Sequence, residues 1–161
     1  MAGRLSHLDA AGRLRMVDVG AKPRTRRLAR ARGEIRLSPD TVALIESNQV
    51  AKGNVLEAAR LAGIMAAKRT AELIPLCHPL PLAVVTVDFV LGPDRLEVTA
   101  EARVTDRTGV EMEALTAATV ALLTVYDMCK AVDRGMTLSE IRLVEKRGGR
   151  SGTYRRPDRA G

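Results

Sequence analysis

Aromatic side chains are nearly missing from this 161-residue chain, which has one Phe, two Tyr and no Trp. Phe89, Tyr126 and Tyr154 are too few to stack a run of bases, the usual grip on single-stranded nucleic acid. Cysteine is scarce too. Two Cys cannot make a disulfide framework, and together with two His they miss every zinc-ligand spacing, so no metal is expected. No run of 18 uninterrupted apolar residues occurs, so no membrane association is expected. The N-terminus MAGRLSHLDAAGRLRM has no apolar stretch of the kind a secretory signal needs. A reducing, cytoplasmic setting is the expectation that fits this cysteine usage.

Lysine is the other shortage. Lys22, Lys52, Lys68, Lys130 and Lys146 stand against twenty-one arginines. A chain so biased toward Arg uses Arg wherever a permanent positive charge suffices. Lysine is the cation that gives up its proton when its surroundings lower its pKa, so the few lysines are candidates for chemistry.

What is plentiful is positive charge. The net charge is +7 and the sequence pI about 10.1, which points to an anionic partner. With so few aromatics, a small phosphorylated ligand fits better than a nucleic-acid polymer. At this length, with 46% hydrophobic residues, the chain reads as one domain spanning 1–161. A flexible N-terminus and a flexible basic tail from about 148 are expected to flank its core.

The pattern of elements runs strand, helices, strand, strand, helix, strand. LARARGEIRL (Leu28 to Leu37) alternates charged with small or apolar residues, as a half-exposed strand does. Ser38-Pro39-Asp40 opens a short helix. Asn54 caps a second helix, with Glu57 three residues on and Val55, Ala58, Ala62, Met65 and Ala66 on one face. Val84 to Val90 and Leu96 to Val104 read as strands around a Gly92-Pro93-Asp94 turn. A long helix follows from about Glu111 to Val132, its buried stripe Ala114, Ala117, Ala118, Ala121, Val125, Met128 and Val132. Leu138 to Val144 is the last strand. This order predicts an α+β fold of the ferredoxin-like, split βαβ type, with an antiparallel sheet and helices on one face.

Individual residues leave more than one reading open. Asp127 and Lys130, three apart on the long helix, are either a surface ion pair or an acid/base pair. Glu111 and Glu113 suit a helix first turn on dipole grounds alone. Lys52, beside Gly53 ahead of a helix N-terminus, is placed to meet a phosphate or is an ordinary loop lysine. Lys68 sits late in its helix, where a cation is expected anyway. Lys146 heads KRGGRSG, whose glycines allow backbone N–H groups to approach an anion, or which is a basic tail. In LIPLCHPLPL (Leu73 to Leu82), three prolines exclude helix interior and central strand. Cys77 there reads as a small buried residue, and His78 as structural or as an imidazole held toward a cleft.

Taken together, several segments resemble one family. MVDV (Met16 to Val19), Lys52-Gly53, AGIMAAKRTAELIPLCHPL (Ala62 to Leu80), TGVEMEALTAATVALLTVYDMCKAV (Thr108 to Val132) and KRGGRSG are similar to the cyclic pyranopterin monophosphate synthases of molybdenum cofactor biosynthesis. The likeness runs from about Leu5 to Gly152. It implies a homohexamer, a trimer of dimers with active sites at subunit interfaces, and no cofactor. It also implies a reaction. (8S)-3′,8-cyclo-7,8-dihydroguanosine 5′-triphosphate becomes cyclic pyranopterin monophosphate, and pyrophosphate leaves. In that reading Asp127, Lys52 and Lys130 are catalytic. Leu76, Cys77, His78, Met112, Glu113, Asp18, Arg27, Lys68, Glu111 and Lys146 bind the substrate. A basic RNA-binding module and a non-catalytic pterin- or nucleotide-binding regulator are the alternatives from other classes.

Overall fold

Strict alternation in two neighbouring strands sets up the architecture. The computed structural model describes residues 6–157, so the chain ends at 1–5 and 158–161, included in the expected flexible termini, lie outside the described residues. β1 (Thr25–Arg36) pairs antiparallel with β3 (Arg95–Asp106), setting Ala29 against Ala102, Ala31 against Ala100 and Ile35 against Leu96. These six side chains are fully buried, and successive residues on a strand point to opposite faces. One face is therefore apolar. The other carries Arg30, Arg32, Glu34, Glu97, Glu101 and Arg103.

The sheet order is β2-β3-β1-β4-β5, with β2 at Val84–Leu91, β4 at Thr137–Arg147 and β5 at Tyr154–Arg155; every pairing is antiparallel. β1 and β2 thus run parallel with β3 between them, which is the split βαβ arrangement of a ferredoxin-like α+β fold. β4 runs three residues past the predicted Val144, taking Glu145, Lys146 and Arg147 into the sheet. The segment read as a basic tail pairs Tyr154 and Arg155 with Lys146 and Glu145.

Helices cover the apolar face. α1 (Pro39–Glu46) is capped by Ser38, whose hydroxyl accepts the Thr41 N–H. α2 (Val55–Lys68) is capped by Asn54, which accepts the Glu57 N–H. The buried face of α2 is Val55, Ala59, Gly63, Ala66 and Ala67, rotated from the predicted stripe, and Met65 is exposed. Alanines lie all round this helix, so hydropathy does not choose a face. Gly63 does: a side chain there would strike the Ala117 carbonyl oxygen at 2.8 Å, so only glycine permits this close approach to α4. A short helix, α3 (Thr70–Leu73), precedes the proline-rich loop.

α4 (Glu111–Cys129) lies across the sheet and beside α2, burying Ala114, Ala117, Ala118, Ala121, Leu122, Val125 and Cys129. Its predicted stripe holds to Val125. Beyond it Cys129 is the buried residue, Met128 is half-buried and Val132 is 62% exposed past the helix end. α4 is long and apolar enough by composition to cross a membrane, and half of it is buried within the fold.

On the charged face of the sheet the buried carboxylates are paired, and arginines outnumber them. Glu101 and Glu145 are buried there, and Arg30 donates to both, with Arg103 on Glu101 and Arg147 and Arg155 on Glu145.

Candidate active site

Two groups of the expected residues form around the two ends of α4. The first is a trio at its C-terminal end. Lys52, in the loop before α2, donates through Nζ to Asp127 Oδ2 at 3.0 Å and to the Asp127 carbonyl at 2.9 Å. Lys130 Nζ lies 2.8 Å from Asp127 Oδ1. The antiparallel packing of α2 on α4 delivers Lys52 there. The hydrogen bond from Lys130, then that from Lys52, hold the Asp127 carboxyl below its ordinary range, and Asp127 in return raises Lys130. All three are about half exposed.

The second group surrounds a cavity of about 450 Å³ at the N-terminal end of α4. Leu76, Cys77 and His78 form one wall and Glu111, Met112 and Glu113 another. The loop carrying Cys77 and His78 is not regular structure. The Cys77 N–H turns back onto the Ile74 carbonyl, and Ala83 N–H enters the sheet on Arg103. Between those anchors the prolines fix the path that places His78 on the cavity wall.

Glu113 is the most perturbed group in this cavity. It is 4% exposed, and burial, reinforced by the neighbouring Glu111 charge, pushes its carboxyl up to about 7. A carboxyl titrating there is matched to proton transfer at neutral pH. Burial, then the Glu113 charge, raises the Cys77 thiol, so it stays protonated and is a poor nucleophile.

Arg27 and Lys146 lie at this same end. Arg27 donates to the Asp106 and Arg107 carbonyls at 2.9 and 3.1 Å, just ahead of the Thr108-Gly109 segment of the cavity wall. Lys146 donates to the Gly148 carbonyl and to the Ser151 hydroxyl. Gly148 and Gly149 are left-handed, at φ 89° and 76°, and a side chain on Gly149 would collide with the Arg27 guanidinium. Asp18 spends one carboxylate oxygen on the Gly20 N–H at 2.8 Å, while its neighbours Val17 and Val19 line the cavity. Lys68 is exposed in the last turn of α2, which the antiparallel packing brings toward the start of α4.

The structure does not bring the two groups together within one chain. Glu111 and Asp127 are sixteen residues apart on a straight run of α4, about 24 Å at 1.5 Å per residue. Sequence reasoning also missed lining residues: Ser6 and His7 from the N-terminal segment, and Thr108 and Gly109 ahead of α4; Lys22, a candidate only through the scarcity of lysine, lines the cavity as well. Among the described residues no group of three or more His, Cys, Asp or Glu side chains is placed to hold a metal ion.

The fold and these two clusters define a ferredoxin-like α+β protein with titratable side chains gathered at both ends of α4. The chain belongs to the MoaC family, whose match covers residues 16–149. It is 62% identical over 156 residues to a cyclic pyranopterin monophosphate synthase of Thermomicrobium roseum, covering 96% of this chain and 94% of that one. A protein of the same name from Novosphingobium aromaticivorans is 60% identical over 151 residues, covering 94% and 96%. Cyclic pyranopterin monophosphate synthase 3 of Mycobacterium tuberculosis is 60% identical over 157 residues, covering 97% and 89%.

Proposed function

We propose that this chain is an enzyme of molybdenum cofactor biosynthesis. It converts (8S)-3′,8-cyclo-7,8-dihydroguanosine 5′-triphosphate to cyclic pyranopterin monophosphate with release of pyrophosphate. Opening an aminal-like ring and rebuilding a pterin takes several proton transfers. The Lys52–Asp127–Lys130 trio and Glu113 are groups suited to them. Displacement of pyrophosphate by a ribose hydroxyl moves charge onto the departing oxygens, and Arg27, Lys68 and Lys146 are the cations assigned to that charge. Family membership and near-full-length identity to named synthases support this reading over the RNA-binding and regulator alternatives.

The same proposal includes subunit-shared sites in a cytoplasmic homohexamer. The supporting observation is the separation of about 24 Å along α4. The outer stripe of that helix runs Met112, Thr119, Leu123, Asp127, with Met112 and Leu123 exposed. Thr119 is its midpoint. A second copy turned end for end about Thr119 brings its own Asp127 to the first copy's Glu111, and the reverse, completing two sites at once. Leu61 and Met65, exposed on α2, extend the apolar surface available to it.

A turnover assay with the purified protein and the authentic cyclic triphosphate tests the reaction. Stoichiometric pyrophosphate and pterin product are expected. Binding without product would favour the regulator instead, and neither would sink the assignment.

A further inference from the structure

Both histidines of this chain line the same cavity: His78 from the proline-rich loop, and His7 from the N-terminal segment. His7 is held there by a hairpin that builds itself from local bonds. Asp9 Oδ1 accepts the N–H groups of Ala11 and Arg13, each at 2.9 Å, and Asp9 Oδ2 takes Arg13 Nε at 2.8 Å. Gly12 turns the chain at φ 76°, and Leu8 bridges Leu14. The Arg15 N–H then bonds the His7 carbonyl at 2.9 Å, closing the open end of the hairpin. The chain continues along the cavity through Val17 and Val19 to a turn in which the Lys22 N–H meets the Val19 carbonyl at 3.0 Å.

The chemistry of the lining explains what this segment adds. The opposite wall supplies two carboxylates, Glu111 and Glu113, and Lys22 is the one Lys or Arg among the lining residues. Arg27, Lys68 and Lys146, the cations assigned above to the departing pyrophosphate, are not among these lining residues, so inside the cavity an anionic substrate beside Glu111 and Glu113 meets Lys22. We propose that the N-terminal segment is a working wall of the substrate site, with Lys22 binding a phosphate oxygen and His7 hydrogen-bonding the substrate opposite His78. Asp9 is then a positioning residue, acting through the hairpin that sets His7. The inference rests on the function proposed above.

Steady-state kinetics on the full chain with the cyclic triphosphate test it. His7→Ala and Lys22→Ala should each raise KM about tenfold, the loss of one good polar contact, with kcat little changed. Asp9→Ala should raise KM similarly, and Asp9→Asn, which keeps an oxygen for the two N–H groups, should restore most of it. In a His7→Ala background Asp9→Ala should cost nothing further in KM. A hairpin that is only structural predicts the opposite pattern: a lowered melting temperature in Asp9→Ala, with KM unmoved in all three. That result, alongside an active unmutated protein, overturns the inference and leaves the reaction standing. No turnover by the unmutated protein sinks the reaction and the inference with it.

Discussion

Lys52 and Lys130 hold the two oxygens of a single carboxylate, that of Asp127, from two different parts of the chain. Lys130 comes from the end of the same helix, three residues on, where a side-chain pair is expected whatever its purpose. Lys52 comes from a loop seventy-five residues away, and it arrives because Asn54 caps α2 and Gly63 lets α2 lie close against α4. An incidental surface pair needs neither. Asp127 is held below the ordinary carboxylate range and in turn raises Lys130, the reverse of the lowered lysine expected from the sequence, so in this resting arrangement Lys130 is a proton donor and not a free base.

Lys52→Ala and Lys130→Ala should therefore each lower turnover at least about a hundredfold, the scale of losing a positioned proton donor or acceptor. Because these side chains are exposed, unfolding should be nearly unchanged. Lys130→Arg should be as inactive as Lys130→Ala, since a guanidinium keeps its charge but gives up no proton at neutral pH. Pyrophosphate release by the three variants, with thermal melts alongside, decides this. Near-normal rates for Lys130→Arg would assign the residue to charge alone.

Asp127→Asn removes the charge that raises Lys130 and keeps the shape. The Lys130 ammonium should then titrate at lower pH than in the unmutated protein, a shift visible in the carbon chemical shift of its ε-methylene during an NMR titration. An unchanged titration would mean that the pair does not persist in solution.

How far the sequence reveals this protein depends on which physical signal a residue carries. The Leu96 to Val104 alternation is legible because β3 has one covered and one charged face, and a period of two has no competing explanation. The buried face of α2 is illegible, because alanine at 58, 59, 62, 66 and 67 leaves hydropathy flat around the helix. What selects the face is a glycine meeting another helix's backbone, a tertiary fact. The chemical character of Asp127, Glu113 and His78 is legible from motif and residue type, but their separation along α4 emerges only once both clusters are placed. The scarcity that singles out Lys52 and Lys130 applies equally to Lys22, one of five lysines, and to His7, one of two histidines.

Glu113 gives a stability prediction with a definite sign. Its carboxyl ionises near 4.5 in the unfolded chain and near 7 when buried in the fold. Between those values the unfolded state has released a proton that the folded state still holds. The group's contribution is intact below about pH 4.5 and lost as pH rises toward 7, by about 3 kcal/mol at 1.36 kcal/mol per unit. Glu113→Gln should be more stable than the unmutated protein at pH 8 and gain nothing at pH 4, as read from urea unfolding midpoints. Equal midpoints at pH 8 would show that Glu113 is hydrated in solution.

The last prediction concerns the division of the site between chains. If each site takes its trio from one copy and its His78 wall from another, then two dead variants carry complementary lesions. Lys52→Ala lacks a working trio but keeps an intact cavity, and a His78→Ala chain is the converse. Co-expressed in equal amounts, half of the pairs are mixed, and in each mixed pair one of two sites combines an intact trio with an intact cavity. Activity should therefore recover to about a quarter of the unmutated level, from two proteins that are each inactive alone. A site contained within one chain gives no recovery, because every chain then carries a lesion in its own site. The distance along α4 favours recovery. One chain could join Asp127 to Glu111 only by breaking the helix between them, and its inner face there, Ala114, Ala117, Ala118, Ala121 and Leu122, is fully buried.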